Sequence, residues 1–234
     1  MTFFLLAMLA ASEGDAQPGV CEAALSGAAA RGDAFDLAGA LAAARAAGDC
    51  DAAAGTVEYL EGLLGAREAV QQGGTVDSLR DVRSAANALS RRAEAGNRRW
   101  EAASLAMRAV AAASQDERGE MSIYLAEAVR IEGLLLTAGE LAVPIVTAHE
   151  LAGDLWLQVD RFADARAAYE RAAERVGRTP RVRLGLARAA KRLGEAAVAC
   201  GEYRGLLEWW GTRIESPPEI EEARAHLDTQ GCPP

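Results

Sequence analysis

Between His149 and Leu206 the chain repeats its own pattern at an offset of 34 residues. Ala152, Gly153, Trp156, Asp160, Ala165, Tyr169 and Ala172 are answered, 34 positions on, by Leu186, Ala187, Ala190, Gly194, Ala199, Tyr203 and Leu206. A period of this length holds two helices and a turn, and such a unit cannot bury its apolar face alone, so successive hairpins are expected to stack. Small residues at Gly153 and Ala187 let the second helix of a unit approach the first. Ala165 and Ala199 do the same from the other side, and Tyr169 and Tyr203 fill the space where units meet. Asp160 and Gly194 fall in the tight turn. Gly177 can end a helix with positive φ, and Thr179-Pro180 starts the next: the Thr oxygen accepts an orphan N–H, and Pro at the first helical position loses no needed donor.

The pattern His149-x2-Ala152-Gly153-x2-Trp156, then Ala165-x3-Tyr169, then Ala172, resembles the tetratricopeptide repeat. The first signature position is His149 in one unit and Arg183 in the next, and the Leu-Gly pair appears as Ala152-Gly153 and Leu186-Ala187, so the repeats are degenerate. The resemblance implies a right-handed solenoid of αα-hairpins whose first helices line a concave groove that holds a peptide or protein segment. By the same resemblance the groove positions are Thr147, Glu150, Asp154 and Gln158 in one unit and Arg181, Arg188, Lys191 and Arg192 in the next. Arg181, Arg188 and Arg192 stand seven and four residues apart and project from one helical face. Such a row suits an acidic peptide segment or a chain-terminal carboxylate. The alternative is that Arg188 and Arg192 pair with Asp154 or Glu150, or are simply solvated. The carboxylate clamp of chaperone-binding members uses Lys and Asn where this chain has Leu184 and Arg188, or Glu150 and Asp154, and that function is not carried over.

Half of the residues are hydrophobic but only 5% are aromatic, so the core is expected to rest on alanines at short range. Alternating runs of Val, Ile and Thr are missing, which points to an all-α chain. The net charge of −9 repels nucleic acid and anionic membrane surfaces. Against that mean, 161–192 carries nine Arg and Lys191 beside only Asp164, Glu170 and Glu174.

Residues 1–16 read as a secretory signal. Phe3 to Ala11 is an apolar run too short to span a bilayer, and Gly14-Asp15-Ala16 offers small residues for cleavage, which places the mature start near Gln17. No Lys or Arg precedes the run, and an N-terminal helix of the first repeat is the alternative. No transmembrane span is expected. Cys21, Cys50, Cys200 and Cys232 show no C-x-x-C spacing and allow three pairings; Cys21 with Cys50 and Cys200 with Cys232 are favoured. Each would close a loop of about 30 residues, worth roughly 3–4 kcal/mol. These features together suggest a periplasmic or secreted protein, the alternative being a cytoplasmic scaffold with free thiols.

The chain divides into the signal (1–16), degenerate helical hairpins (17–143), two tetratricopeptide-like repeats (144–211) and a C-terminal capping helix with a tail (212–234). Asp33 can cap a helix to about Ala47, and Thr75 the helix whose stripe is Val76, Leu79, Val82, Ala86 and Leu89. Arg80, Arg83, Arg91 and Arg92 lie off that stripe and read as a solvated face. Trp100, Ala103, Met107 and Val110 mark the buried side of the next helix. Ser114-x-x-Glu117 reads as a capping box before Met121, Tyr124, Leu125, Ala128, Ile131 and Leu135. Gly139 stops or kinks that helix, and Pro144 disturbs the approach to the first clear repeat. Ser216-Pro217-Pro218-Glu219 reads as another box, opening a polar helix that ends the stack. Trp209 and Trp210 are split between packing and the edge.

Neither His149 nor His226 sits in a metal-ligand spacing, and the strand-borne nucleotide and hydrolase motifs lack strands to carry them. The expectation is therefore a non-catalytic adaptor or scaffold, without cofactor or metal, that binds protein or peptide. A solenoid that binds a small molecule or envelope polymer as accessory to an enzyme complex is the alternative.

Overall fold

A computed structural model describes residues 18–33, 35–48, 50–71, 79–138, 146–213, 216–229 and 232. The signal-like stretch, Thr75, Val76, Gly139 and Pro144 lie outside them. Every regular element among the described residues is a helix: α1 (Pro18–Asp33), α2 (Leu37–Ala46), α3 (Asp51–Gln71), α4 (Arg80–Glu94), α5 (Arg98–Ser114), α6 (Arg118–Thr137), α7 (Ala148–Gln158), α8 (Phe162–Val176), α9 (Pro180–Leu193), α10 (Ala196–Trp210) and α11 (Pro218–Thr229). Consecutive helices pack on one another, and α3, α5, α7 and α9 also form a row in which each touches the next odd-numbered helix. No described helix is long and apolar enough to cross a membrane.

The same stop ends four helices. Phe35, Asp116, Asp160 and Gly194 hold φ of 63°, 59°, 61° and 78°. The following residue then reaches back five positions, Asp36 to Arg31, Glu117 to Ala112, Arg161 to Trp156 and Glu195 to Ala190, through N–H···O bonds of 2.8–2.9 Å. This is the Schellman turn, which satisfies carbonyls the helix end leaves unpaired. Starts are more varied. Thr179 caps α9 by accepting from Val182 N, with Pro180 at the first position, as its sequence indicates.

Three expected caps are different. Asp36, not Asp33, caps α2, its Oδ1 accepting from Gly39 N at 2.8 Å; α1 runs on to Asp33. Ser114 belongs to the last turn of α5 and donates to Val110 O, so the Schellman turn leaves Glu117 to open α6 without a side-chain cap. Ser216 accepts from Arg224, and the Pro217 carbonyl takes the first bonds of α11 from Ile220 and Glu221. Arg92 is no solvated side chain either. It donates to Glu58 and Asp51 at 2.6–3.1 Å and ties α4 to α3.

Large side chains of one helix sit where a neighbour has glycine. Trp100 and Met107 on α5, both fully buried, lie against Gly55 and Gly62 on α3, where an added Cβ would stand 2.3 Å from the indole and 2.6 Å from the Met sulfur. Tyr169 on α8 lies between Gly153 on α7 and Gly185 on α9, where an added Cβ would come within 2.6 Å and 2.2 Å of its ring. The ring is buried and its hydroxyl donates to Asp154 Oδ1 at 2.5 Å. It therefore has no free side into which to retreat. Gly185→Ala is expected to destabilise the protein by about 2 kcal/mol through overpacking, measured by urea unfolding. An unchanged midpoint would show that the ring moves aside.

Cys21 is bonded to Cys50 and Cys200 to Cys232, the favoured pairing. The first bond joins α1 to the residue before α3, the second α10 to the tail beyond α11. Described segments far apart in the chain also meet. Phe35 packs in one cluster with Leu184, Ala187 and Ile220, and Arg67 approaches Glu219 at 3.8 Å.

Candidate functional site

The row α3, α5, α7 and α9 bounds a cleft of about 600 Å³, closed off by the α1–α2 turn and the start of α11. Leu63, Val110, Leu151, Leu155, Leu157 and Leu184 supply apolar walls, and the charged groups are Arg67, Asp154, Arg181, Arg188 and Glu219. Its walls come from segments far apart in sequence because each odd-numbered helix presents one face to the same space.

Of the positions expected in a groove, Asp154, Gln158, Arg181 and Arg188 line this cleft. The arginines are partnered within the chain. Arg181 donates to Asp154 Oδ2 at 3.2 Å; Arg188 makes three bonds of 2.6–3.2 Å to Glu222. Asp154, Arg188 and Glu222 follow one another at 34-residue steps, so α11 continues the register of α7 and α9. Arg192 turns away from the cleft, bonded to Asp160 at 2.9 Å and stacked over Phe162 at 4.2 Å. Lys191 is exposed and does not line the cleft. The acidic partners of the arginines are thus not the pairing expected for Arg188 and Arg192. One donor is left over: Arg181 Nε is buried and has no hydrogen-bond partner among the described residues.

Thr147 and Glu150, expected to face the groove, are buried. Together they form a capping box: Thr147 Oγ1 accepts from Glu150 N at 3.1 Å, and Glu150 Oε2 accepts from Thr147 N at 2.9 Å. The Thr-x-x-Glu spacing carries that signature in the sequence; the repeat register obscured it. No local signal marks Glu132, which reaches across from α6, accepting Ala148 N–H at 3.1 Å on each carboxylate oxygen. Burial raises Glu132 to about 7, against the opposing pull of the Ala148 N–H and Arg175. Burial, with Arg175 and Arg171 nearby, lowers His149 to about 4. Burial also raises Glu150, opposed by Arg181. Tyr59 closes the knot by donating to Val146 O at 3.0 Å. These groups anchor α7, the helix that carries Asp154 and Gln158 into the cleft.

Trp210 is buried under α11 while Trp209 stays largely exposed, and Arg213 lies over both rings. No family model, curated protein or solved structure matches the chain.

Proposed function

We propose that the protein is an exported, non-catalytic adaptor built of degenerate tetratricopeptide-like repeats, which holds a peptide segment of a partner protein in the cleft between α3, α5, α7 and α9. The observation that carries this reading is the cleft itself: a row of equivalent helices supplies apolar walls, with Arg67, Arg181 and Arg188 among the lining side chains. A segment with one or two apolar side chains and a carboxylate suits such a lining, since the arginines carry positive charge into an apolar cleft. Arg188 and Arg192 already hold carboxylates of their own, so a long acidic tract has less to gain than a single acidic group. Two disulfides suit an oxidising compartment.

The volume also falls in the range of small-ligand sites, which run to roughly 300–1,000 Å³, and a small apolar acid is the competing occupant. Selection from a random peptide library separates the two. The parent is expected to enrich an apolar-plus-acidic motif, and Gln158→Trp, which fills the cleft from an exposed position, to weaken the selected peptides about tenfold, a loss of about 1.4 kcal/mol. Arg67→Glu is expected to act in the same direction. Selection of no common motif, or peptides that bind parent and Gln158→Trp alike, would overturn the reading.

A further inference from the structure

Outside the cleft, the end of the molecule gathers a second set of groups. Cys200 on α10, His226 on α11 and Cys232 on the tail bring two sulfurs and an imidazole nitrogen within 4.8 Å of one another. His226 is only 6% exposed and Cys200 only 2%. Neither ring nitrogen of His226 has a hydrogen-bond partner among the described residues, although the ring packs on Tyr203 with centroids 4.7 Å apart. A buried imidazole always carries at least one N–H or lone pair that wants a partner, and leaving it without one is costly. Packing on Tyr203 accounts for the ring's place but for neither nitrogen.

We propose that in the dithiol state Cys200, Cys232 and His226 form a three-ligand site for a thiophilic divalent cation, of which Zn2+ is the representative, and that the disulfide is the closed form of that site. Tetrahedral zinc with bonds of about 2.3 Å to sulfur and about 2.0–2.1 Å to nitrogen needs ligand atoms somewhat under 4 Å apart. The three ligand atoms lie within 4.8 Å of one another, and reduction frees the two sulfurs to move apart to that spacing. Opening the site takes two electrons and two protons from an external dithiol, which leaves as its own disulfide. The cation then displaces both thiol protons and takes the His226 lone pair, so that two thiolates cancel its charge. The fourth position belongs to water. The other disulfide has no such companion: no histidine accompanies Cys21 and Cys50, since His149 and His226 are the two in the chain and the Cys200 group alone meets the ligand geometry among the described residues. That contrast makes the site testable within one molecule.

The full chain is reduced with dithiothreitol, freed of it without oxygen, and alkylated with or without Zn2+; peptide mass spectrometry then follows each cysteine. Zn2+ is expected to slow alkylation of Cys200 and Cys232 at least about tenfold and to leave Cys21 and Cys50 unprotected. His226→Gln, checked for helix content by circular dichroism, is expected to abolish most of that protection. Independently of any substitution, the Co2+ form of the parent is expected to show thiolate-to-metal charge-transfer bands and hyperfine-shifted imidazole protons. Equal protection of both cysteine pairs, no protection, or a Co2+ form without imidazole signals would overturn the proposal. The outcome is independent of whether a peptide occupies the cleft.

Discussion

Trp100→Ala is expected to cost about 4 kcal/mol, because it removes the largest fully buried side chain among the described residues and leaves a cavity. The indole is fully buried, packs in the principal core between α3, α4 and α5, and its Nε1 donates to Asp51 Oδ2 at 3.3 Å. Asp51 also accepts from Arg92 and Asn97, so the truncation frees a carboxylate that remains bonded elsewhere, and most of the loss is packing. A chain of this length is expected to melt on the order of 10 °C lower. The geometry allows a sharper check through Gly55. In the parent, Gly55→Ala drives a Cβ to 2.3 Å from the indole and is expected to destabilise. In the Trp100→Ala background the same Cβ enters the vacated volume and is expected to stabilise, apart from the helix propensity that Ala gains in both. A double-mutant cycle by urea unfolding measures this coupling. Additive effects would show that the indole does not occupy the place of the missing side chain.

Two opposed pH dependences, each about 3 kcal/mol, are expected from the knot at the start of α7. Glu132 stands near 7 in the fold against about 4.3 in an unfolded chain. The folded state therefore holds more protons in that window, and the Glu132 contribution is present below about 4.3 and lost as pH rises towards 7. His149 is held near 4 against about 6.5 unfolded. Here the unfolded state holds more protons, and stability rises with pH from 4 to about 6.5. The two nearly cancel in the parent, while Glu150, also raised by burial, adds to the falling limb. Comparison with variants exposes each. Glu132→Gln is expected to gain on the parent by about 3 kcal/mol as pH rises from 4.5 to 7, and His149→Gln to lose a similar amount from 4 to 6.5. Unfolding free energies measured across pH 4–8 decide it. Variant curves parallel to that of the parent would show that neither group titrates abnormally in the fold.

The sequence made the helical architecture legible because helix periodicity and stop signals are local. Gly153 stood out as a point of close approach and Tyr169 as a filler between units, though not as each other's partner, and the favoured cysteine pairing, one pair near each end, is the one in the structure. Thr179-Pro180, Gly177 and Gly194 identified their helix boundaries from backbone chemistry alone. Local chemistry failed where two signals competed: Thr147-x-x-Glu150 carried a capping signature and a groove position in the same four residues, and burial chose the cap. Asp33 was the expected cap, and Asp36 lies three residues beyond it. The Schellman turn at Phe35 left only Asp36 outside the helix and free to cap the next.

What a single stretch of sequence determines here is the helical periodicity, the apolar stripe where one is present, and the 34-residue spacing that sets Gly153 and Ala187, or Tyr169 and Tyr203, at matching points. What only the tertiary structure decides is which charge meets which. Glu132 reaches the start of α7, Glu222 takes Arg188, the α1–α2 turn meets α9, and His226 meets the second disulfide. Ion pairs and close contacts of this kind depend on distances of a few ångströms between helices, and sequence spacing fixes those only within one helix. Between helices they are set by side-chain volume, by indole against glycine and tyrosine between two glycines, which brings the backbones to their final separation.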